Sequence, residues 1–286
     1  MSETLGLIAG RGLYPRQVAE LARARGWRVA AVGFHSETDP RLAEVVDELT
    51  WVHLGELQRM IDVLGSAGAT RAVMAGKVLK THLYGEIAAF HPDARALDVL
   101  ASLRDRGDDS ILGAVVDAIE AEGIAFPDQT ALLPELFGSE GPVSTARPSP
   151  EQWADVRFGW PVAKAAGGLD IGQSVVVKDL AVIAVEAIEG TDAAIRRAAE
   201  LAGPGCCVVK VAKPSQDPRF DLPTIGLETV KTLAEARASV LAFEAGRTVL
   251  LGGAALAEAA DAAGVVLVGI GPDGPPTHAD VSEAAP

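Results

Sequence analysis

Along the first 75 residues, short apolar runs alternate with stretches whose apolar positions recur every three or four residues. Residues 5–9, 29–34 and 72–75 read as strands, 16–25 and 57–64 as amphipathic helices, and a polar loop follows residue 34. Strand and helix in succession form βαβ units, which build parallel sheets with a binding edge at the carboxyl ends of the strands. Two more helices are predicted over 91–104 and 109–122, the second ending at Gly123.

The second half keeps this α/β character. A helix over 151–166 leads to two β-rich runs, 174–177 and 181–185, which predict a hairpin with the three-residue turn Lys178-Asp179-Leu180. A helix over 192–201, a strand over 206–211, a long loop, a helix over 233–243, a strand over 248–251, an alanine-rich helix over 254–263 and a strand over 265–268 follow. Between the halves, residues 138–150 carry three prolines, two glycines and several hydroxyl residues, a composition that suits neither a helix nor a central strand. The expectation is two α/β domains joined by a Pro/Gly/Ser-rich linker. A Rossmann-like N-terminal domain with a mostly parallel sheet takes 1–137, the linker 138–150, a C-terminal α/β catalytic domain 151–270, and a flexible tail 271–286.

Length and charge narrow the partners. A chain of 286 residues is natural for two domains. With 39 acidic and 25 basic residues its net charge is −14, so it lacks the broad electrostatic footprint of a nucleic-acid binder. That surplus would also repel an anionic substrate unless local cations or a divalent ion intervene. The two cysteines, Cys206 and Cys207, are adjacent in an apolar run and read as buried strand residues, which argues against structural zinc and a disulfide scaffold. The N-terminus has no basic region, and its apolar stretch of about six residues is too short for a signal peptide or a spanning helix. A cytoplasmic protein is expected, with contact to a membrane surface left open.

Five segments carry candidate chemistry. Gly6-Leu7-Ile8-Ala9-Gly10-Arg11-Gly12-Leu13-Tyr14-Pro15 is a strand entering a glycine turn and a helix, where backbone N–H groups could meet a diphosphate. It is not a dinucleotide fingerprint: Pro15 replaces the third glycine, and the second strand ends at Phe34-His35 without a ribose-binding acid. A turn that needs glycine for backbone reasons explains it equally well. Lys77, in Ala75-Gly76-Lys77-Val78, falls on the same sheet edge, but Arg71 and Val78 break the P-loop pattern. Asp108-Asp109-Ser110 reads foremost as a helix cap.

Glu186-Ala187-Ile188-Glu189-Gly190-Thr191-Asp192 is denser, with three carboxylates and a hydroxyl where a strand gives way to a helix. Such crowded carboxylates repel one another, and a divalent cation relieves that; a solvated helix start is the plainer alternative. The most informative stretch runs from Lys210 through Lys213, Gln216, Asp217, Arg219 and Asp221 to Thr224 and Gly226, with prolines at 214, 218 and 223 stiffening a loop after a buried strand. Asp217 and Asp221 could hold Mg²⁺ or activate water, Lys213 and Arg219 could meet phosphate oxygens, and Gln216 and Thr224 could give neutral hydrogen bonds. A rigid, salt-bridged surface loop is the structural alternative. No metalloprotease helix, nucleophile elbow or complete P-loop occurs, which leaves Mg²⁺-assisted reaction at phosphorus as the favoured chemistry.

These segments, together with Asp170-Ile171-Gly172-Gln173, resemble the LpxI family, UDP-2,3-diacylglucosamine pyrophosphatases of lipid A biosynthesis, over nearly the whole chain. The block Gln216-Asp217-Pro218-Arg219-Phe220-Asp221-Leu222-Pro223-Thr224-Ile225-Gly226 is the most specific match, while Arg11 stands where family members commonly have glycine. The resemblance implies cleavage of the diphosphate to UMP and 2,3-diacylglucosamine 1-phosphate by Mg²⁺-assisted water attack at the β-phosphorus. It also implies a substrate lying between two domains, a homodimer, and transient contact with the inner membrane. It makes Asp221 essential. Asp217, Lys213 and Arg219 are carried with it as catalytic candidates. Gly10, Arg11, Gly12, Lys77, Gln173, Thr191, Lys210, Gln216 and Thr224 are candidates for substrate binding, and Asp221, Glu186, Glu189 and Asp192 for Mg²⁺. A nucleotide-sugar binding or transfer protein, which would not need this set of carboxylates, is the competing class, and an NAD-dependent oxidoreductase, whose ribose-binding acid is missing, a third.

Overall fold

The computed structural model describes residues 3–78, 91–103 and 107–277. Two compact units emerge, one of residues 1–133 with 217–221, the other of residues 134–216 with 222–286.

In the first unit, β1 (Thr4–Ala9), α1 (Tyr14–Ala24), β2 (Arg28–Phe34), β3 (Glu48–Val52), α2 (Leu57–Ser66) and β4 (Arg71–Ala75) alternate as expected, followed by α3 (Ala94–Ser102), α4 (Asp108–Glu120) and α5 (Gln129–Leu132). Its strands pair in parallel in the order β3-β2-β1-β4. The order reverses between β1 and β4, which places a ligand crevice beyond the carboxyl ends of those two strands. Strand β3 falls in the stretch read as a polar loop, because an edge strand whose only buried residue is Val52 gives little apolar signal. Ile8, Val32, Phe34, Met60, Leu64, Val116 and Ile119 are buried together between sheet and helices. Helix α4 starts one residue before its expected position, with Gly107 rather than an aspartate in the capping place. The end of the helix expected over 91–104 and the tail residues 278–286 lie outside the described residues.

The second unit contains β5 (Gly141–Pro142), α6 (Pro150–Gly168), β6 (Ser174–Lys178), β7 (Ala181–Val185), α7 (Thr191–Ala202), β8 (Cys207–Lys210), β9 (Thr224–Ile225), α8 (Leu227–Glu235), β10 (Val240–Glu244), β11 (Val249–Leu250), α9 (Ala254–Ala263) and β12 (Val266–Ile270). A mixed sheet runs β5-β12-β10-β8-β6-β7, with β12, β10 and β8 parallel and the outer strands antiparallel. Alternate residues feed two apolar layers. Val176, Val208, Leu241 and Leu267 belong to one, and Val175, Val209, Ala242 and Val268 to the other with Val156 and Ala163 of α6. Among the described residues no helix is long and apolar enough to cross a membrane.

Three expectations are corrected here. The helix expected over 233–243 is the end of α8 followed by the central strand β10: Arg237, at φ 50°, closes the helix, and Val240 to Phe243 are all 0% exposed. Burial on both faces erases the alternation that marks a strand. Residues 138–150 are integral to the second unit rather than a spacer. Gly141 and Pro142 pair with β12, the buried Ser144 hydroxyl accepts the Leu267 N–H at 2.9 Å, and Ser149 forms a capping box with Gln152. The hairpin turn is the two residues Asp179-Leu180, both at positive φ, and the buried Asp155 carboxylate accepts their N–H groups at 3.2 and 2.7 Å.

Candidate active site

The glycine turn after β1 is zipped to the loop after β4 by a short antiparallel bridge. Gly10 donates its N–H to Ala75 at 2.8 Å, Arg11 donates to Lys77 at 2.7 Å, and Lys77 donates back to Arg11 at 3.1 Å. A Cβ on Gly10 would lie 2.7 Å from the Lys77 carbonyl oxygen, and one on Gly76 2.7 Å from that of Arg11. Glycine is therefore needed at both positions so that the two backbones can meet. Gly12 sits at φ 101° with open space around it. Arg11 reaches sideways, bonding the buried Glu37 carboxylate and the Ser36 carbonyl, each at 3.2 Å. Lys77 is exposed on the same edge. Helix α1 begins without a side-chain cap or an acidic residue in its first turn, and its start borders a cleft of about 370 Å³ lined by Gly10, Gly12, Leu13, Thr38 and Asp39 among others.

The Asp217–Asp221 segment, far along the chain, packs into this same first unit. Its anchor is Gln129, 0% exposed. The Gln129 side-chain amide donates to the Arg219 carbonyl at 2.7 Å and to the Met74 carbonyl at 2.9 Å, its oxygen accepts the Tyr14 hydroxyl at 2.7 Å, and its backbone N–H meets the Pro218 carbonyl at 3.2 Å. Burial drives the Tyr14 phenol pKa well above its ordinary value, so it stays a donor. Phe220 packs on the apolar cluster of the unit. Asp217 and Arg219 close on each other through several contacts, the shortest 2.8 Å, and Arg219 also reaches Glu120 at 3.2 Å and Asp117 at 4.0 Å. The guanidinium holds the Asp217 carboxyl below the usual carboxylate range, and Asp217 in turn raises the Arg219 pKa. Both candidates are thus engaged in fixing the segment. Asp221 is half-buried, its N–H bonded to the Asp217 carbonyl at 3.0 Å.

In the second unit, β6, β7 and β8 bring several candidates to one edge, since Ser174 pairs with Lys210 across the sheet. The Lys210 ammonium, on a residue only 5% exposed, donates to the Thr191 hydroxyl at 3.0 Å, and Thr191 donates to Glu186 at 2.8 Å. Ser174 Oγ lies 3.3 Å from the same hydroxyl. A cation of the chain itself therefore stands in the acidic corner. Glu189 faces elsewhere, paired with Arg197 at 2.7 Å and accepting the Ala187 N–H. Lys213 pairs with Asp170 at 2.6 Å, and its N–H is held by the Gln216 side chain at 3.0 Å. Thr224 lies in β9, paired with Val249.

Among the described residues of this unit five buried polar atoms have no hydrogen-bond partner: Glu186 Oε2, Asp192 Oδ1, Gln173 Oε1, Gln216 Nε2 and Thr248 Oγ1. Buried polar atoms are rarely left so, and a ligand, ion or water can satisfy them. The two carboxylate oxygens have the hard-donor chemistry that Mg²⁺ prefers. Among the described residues no group of three or more His, Cys, Asp or Glu side chains could hold a metal ion, and Asp221 belongs to the first unit while Glu186, Glu189 and Asp192 belong to the second. A site with one or two carboxylates completed by substrate phosphate fits what is present, as is usual for Mg²⁺.

The sequence did not single out Tyr14, Glu120, Gln129, Ser174, Lys164 or Glu244. Glu244, which ends the apolar strand β10, accepts the Ala212 N–H at 2.9 Å and pairs with Lys164, steadying the start of the 212–216 loop. A carboxylate closing an otherwise apolar run was the available signal there; Gln129 offered none.

Family models described as the LpxI N-terminal domain and the LpxI C-terminal domain match residues 4–136 and 139–268. A protein of Caulobacter vibrioides named UDP-2,3-diacylglucosamine pyrophosphatase LpxI is 36% identical over 279 residues, covering 94% of this chain and 98% of its own. With both halves matched in order and a relative aligned from end to end, the chain belongs to the LpxI family.

Proposed function

We propose that this protein hydrolyses the diphosphate of UDP-2,3-diacylglucosamine to UMP and 2,3-diacylglucosamine 1-phosphate in lipid A biosynthesis. The observation that carries this reading is the end-to-end identity of 36% with a relative of that name. The reading includes a cytoplasmic enzyme that meets its lipid substrate at the inner membrane and works as a homodimer.

In the proposed reaction a water oxygen bonds to the β-phosphorus, the bond from that phosphorus to the bridging oxygen breaks, and UMP leaves. No residue of the chain forms a covalent intermediate. Asp221 accepts the proton of the attacking water, and Asp217 and Arg219 hold it in position by fixing the segment they share. Glu186 and Asp192 are the residues that would hold Mg²⁺, whose chemistry here is neutralisation of diphosphate charge. Lys213 and Lys210 supply further positive charge, and Lys77 with the N–H groups at the start of α1 would receive phosphate oxygens, the Gly10 and Arg11 N–H groups being bonded across the bridge.

Hydrolysis in ¹⁸O-water tests the direction of attack. Label is expected in the phosphate of the lipid product; label in UMP would mean attack at the α-phosphorus.

A further inference from the structure

Three histidines and a tryptophan, scattered in sequence, line up beside the carboxyl ends of β2 and β3. The His35 ring stacks on Trp51 at 5.8 Å between centroids and 29° between planes; His35 and His53 are 4.7 Å apart, and His53 and His91 4.3 Å. This row is not core packing, since His35 and His91 are exposed. Trp51 and His35 line an open surface hollow of about 450 Å³ with Ser36, Thr38 and Pro40.

The shelf is rigid for identifiable reasons. Trp51 lies opposite Gly33 in the sheet, and a Cβ on Gly33 would stand 3.3 Å from the indole Cζ3, so the missing side chain leaves the ring its place. Thr38 bonds Phe34 and Ala9 at 2.8 and 2.5 Å, tying the ends of β2 and β1. Arg11 holds the Ser36-Glu37 corner. Thr38 also lines the neighbouring cleft at the glycine turn, so ring shelf and the uncapped start of α1 adjoin within one unit. His35 occupies the place after β2 where dinucleotide folds set a ribose-binding acid. A stacking surface therefore stands where a ribose hook would be.

We infer that the His35–Trp51 shelf binds the nucleobase of the nucleotide half of the substrate by stacking, while the adjoining turn faces its phosphates. This inference rests on the proposed function for the choice of a uracil base. Stacking on an aromatic side chain supports sequence-tolerant base binding, and its loss weakens binding by about tenfold or more.

The probe is UMP, titrated calorimetrically into the wild type, Trp51→Ala, Trp51→Phe and His35→Ala, with uracil H5 and H6 shifts followed by NMR. Trp51→Ala and His35→Ala are expected to bind UMP about tenfold or more weakly, Trp51→Phe to retain most of the affinity, and inorganic pyrophosphate to bind all four alike. On the wild type the uracil protons should move upfield. Unshifted uracil protons, or equal UMP affinity in folded alanine variants, would overturn the inference; the ring shifts on the wild type decide it even if Trp51→Ala fails to fold. Turnover separates the two readings. A wild type that binds UMP on the shelf but leaves UDP-2,3-diacylglucosamine intact refutes the proposed activity alone, and an active enzyme whose KM is unmoved by Trp51→Ala refutes the shelf alone.

Discussion

Gln129 shows how one buried amide can position a candidate catalytic residue far away in sequence. It satisfies Tyr14, Met74 and Arg219 together, so Gln129→Leu would leave a hydroxyl and two carbonyls without their partner. Such losses cost about 1–3 kcal/mol each at a fully buried site, and we expect Gln129→Leu to destabilise the protein by about 2–4 kcal/mol in urea unfolding. It should also lower kcat, because the segment carrying Asp221 loses its anchor; wild-type stability and turnover would contradict this. The Asp217–Arg219 pair predicts a pH effect. The folded pKa of Asp217 lies below its ordinary value of 3.8, so the stabilisation is complete above about pH 4 and is lost as pH falls through the lower folded value. Asp217→Asn should therefore be less stable than the wild type near pH 7, with the gap narrowing below about pH 4; parallel stability curves from pH 7 to 3 would refute it. The residues of this pair were legible in the sequence as chemistry. Whether they engage phosphate or each other was left as two alternatives, because the same letters serve a phosphate site or a closed ion pair, and only the fold decides.

At the scale of elements, the βαβ grammar of the first unit and the β6–β7 hairpin were legible because short apolar runs bounded by polar or glycine-containing turns stand apart from amphipathic helices. Strand β10 was not, since its buried apolar run has no period to separate it from a helix and only residues 236–239 part it from α8. The composition of 138–150 correctly excluded helix and central strand for β5, yet it also suits an edge strand and a capped helix start, which is what forms. In the β6–β7 turn, Leu180 adopts φ 60° although it has a Cβ, and the residue is 54% exposed. Replacing it with glycine removes the left-handed strain without emptying a packed site. Leu180→Gly is expected to raise stability by about 0.5–1 kcal/mol in urea unfolding, and a destabilised variant would show that the turn's N–H bonds to Asp155 do not hold it in place.

For the whole molecule, two α/β units and the family were legible from residue order and motif blocks. The placing of Asp217–Asp221 with the first unit was not, because it depends on contacts with Glu120 and Gln129 roughly a hundred positions earlier in the chain. This segment gathers the claims about activity: it holds Asp221, its anchors lie in the unit with the glycine turn, and its motif is the most specific link to the family. The most direct measurement is phosphorus NMR of the purified protein with UDP-2,3-diacylglucosamine and Mg²⁺, beside Asp221→Ala of matched folding. The two diphosphate resonances are expected to vanish with the wild type, replaced by the monoester signals of UMP and the sugar 1-phosphate, and to persist with Asp221→Ala. A diphosphate left intact by the wild type, or cleaved at the wild-type rate by Asp221→Ala, would contradict this.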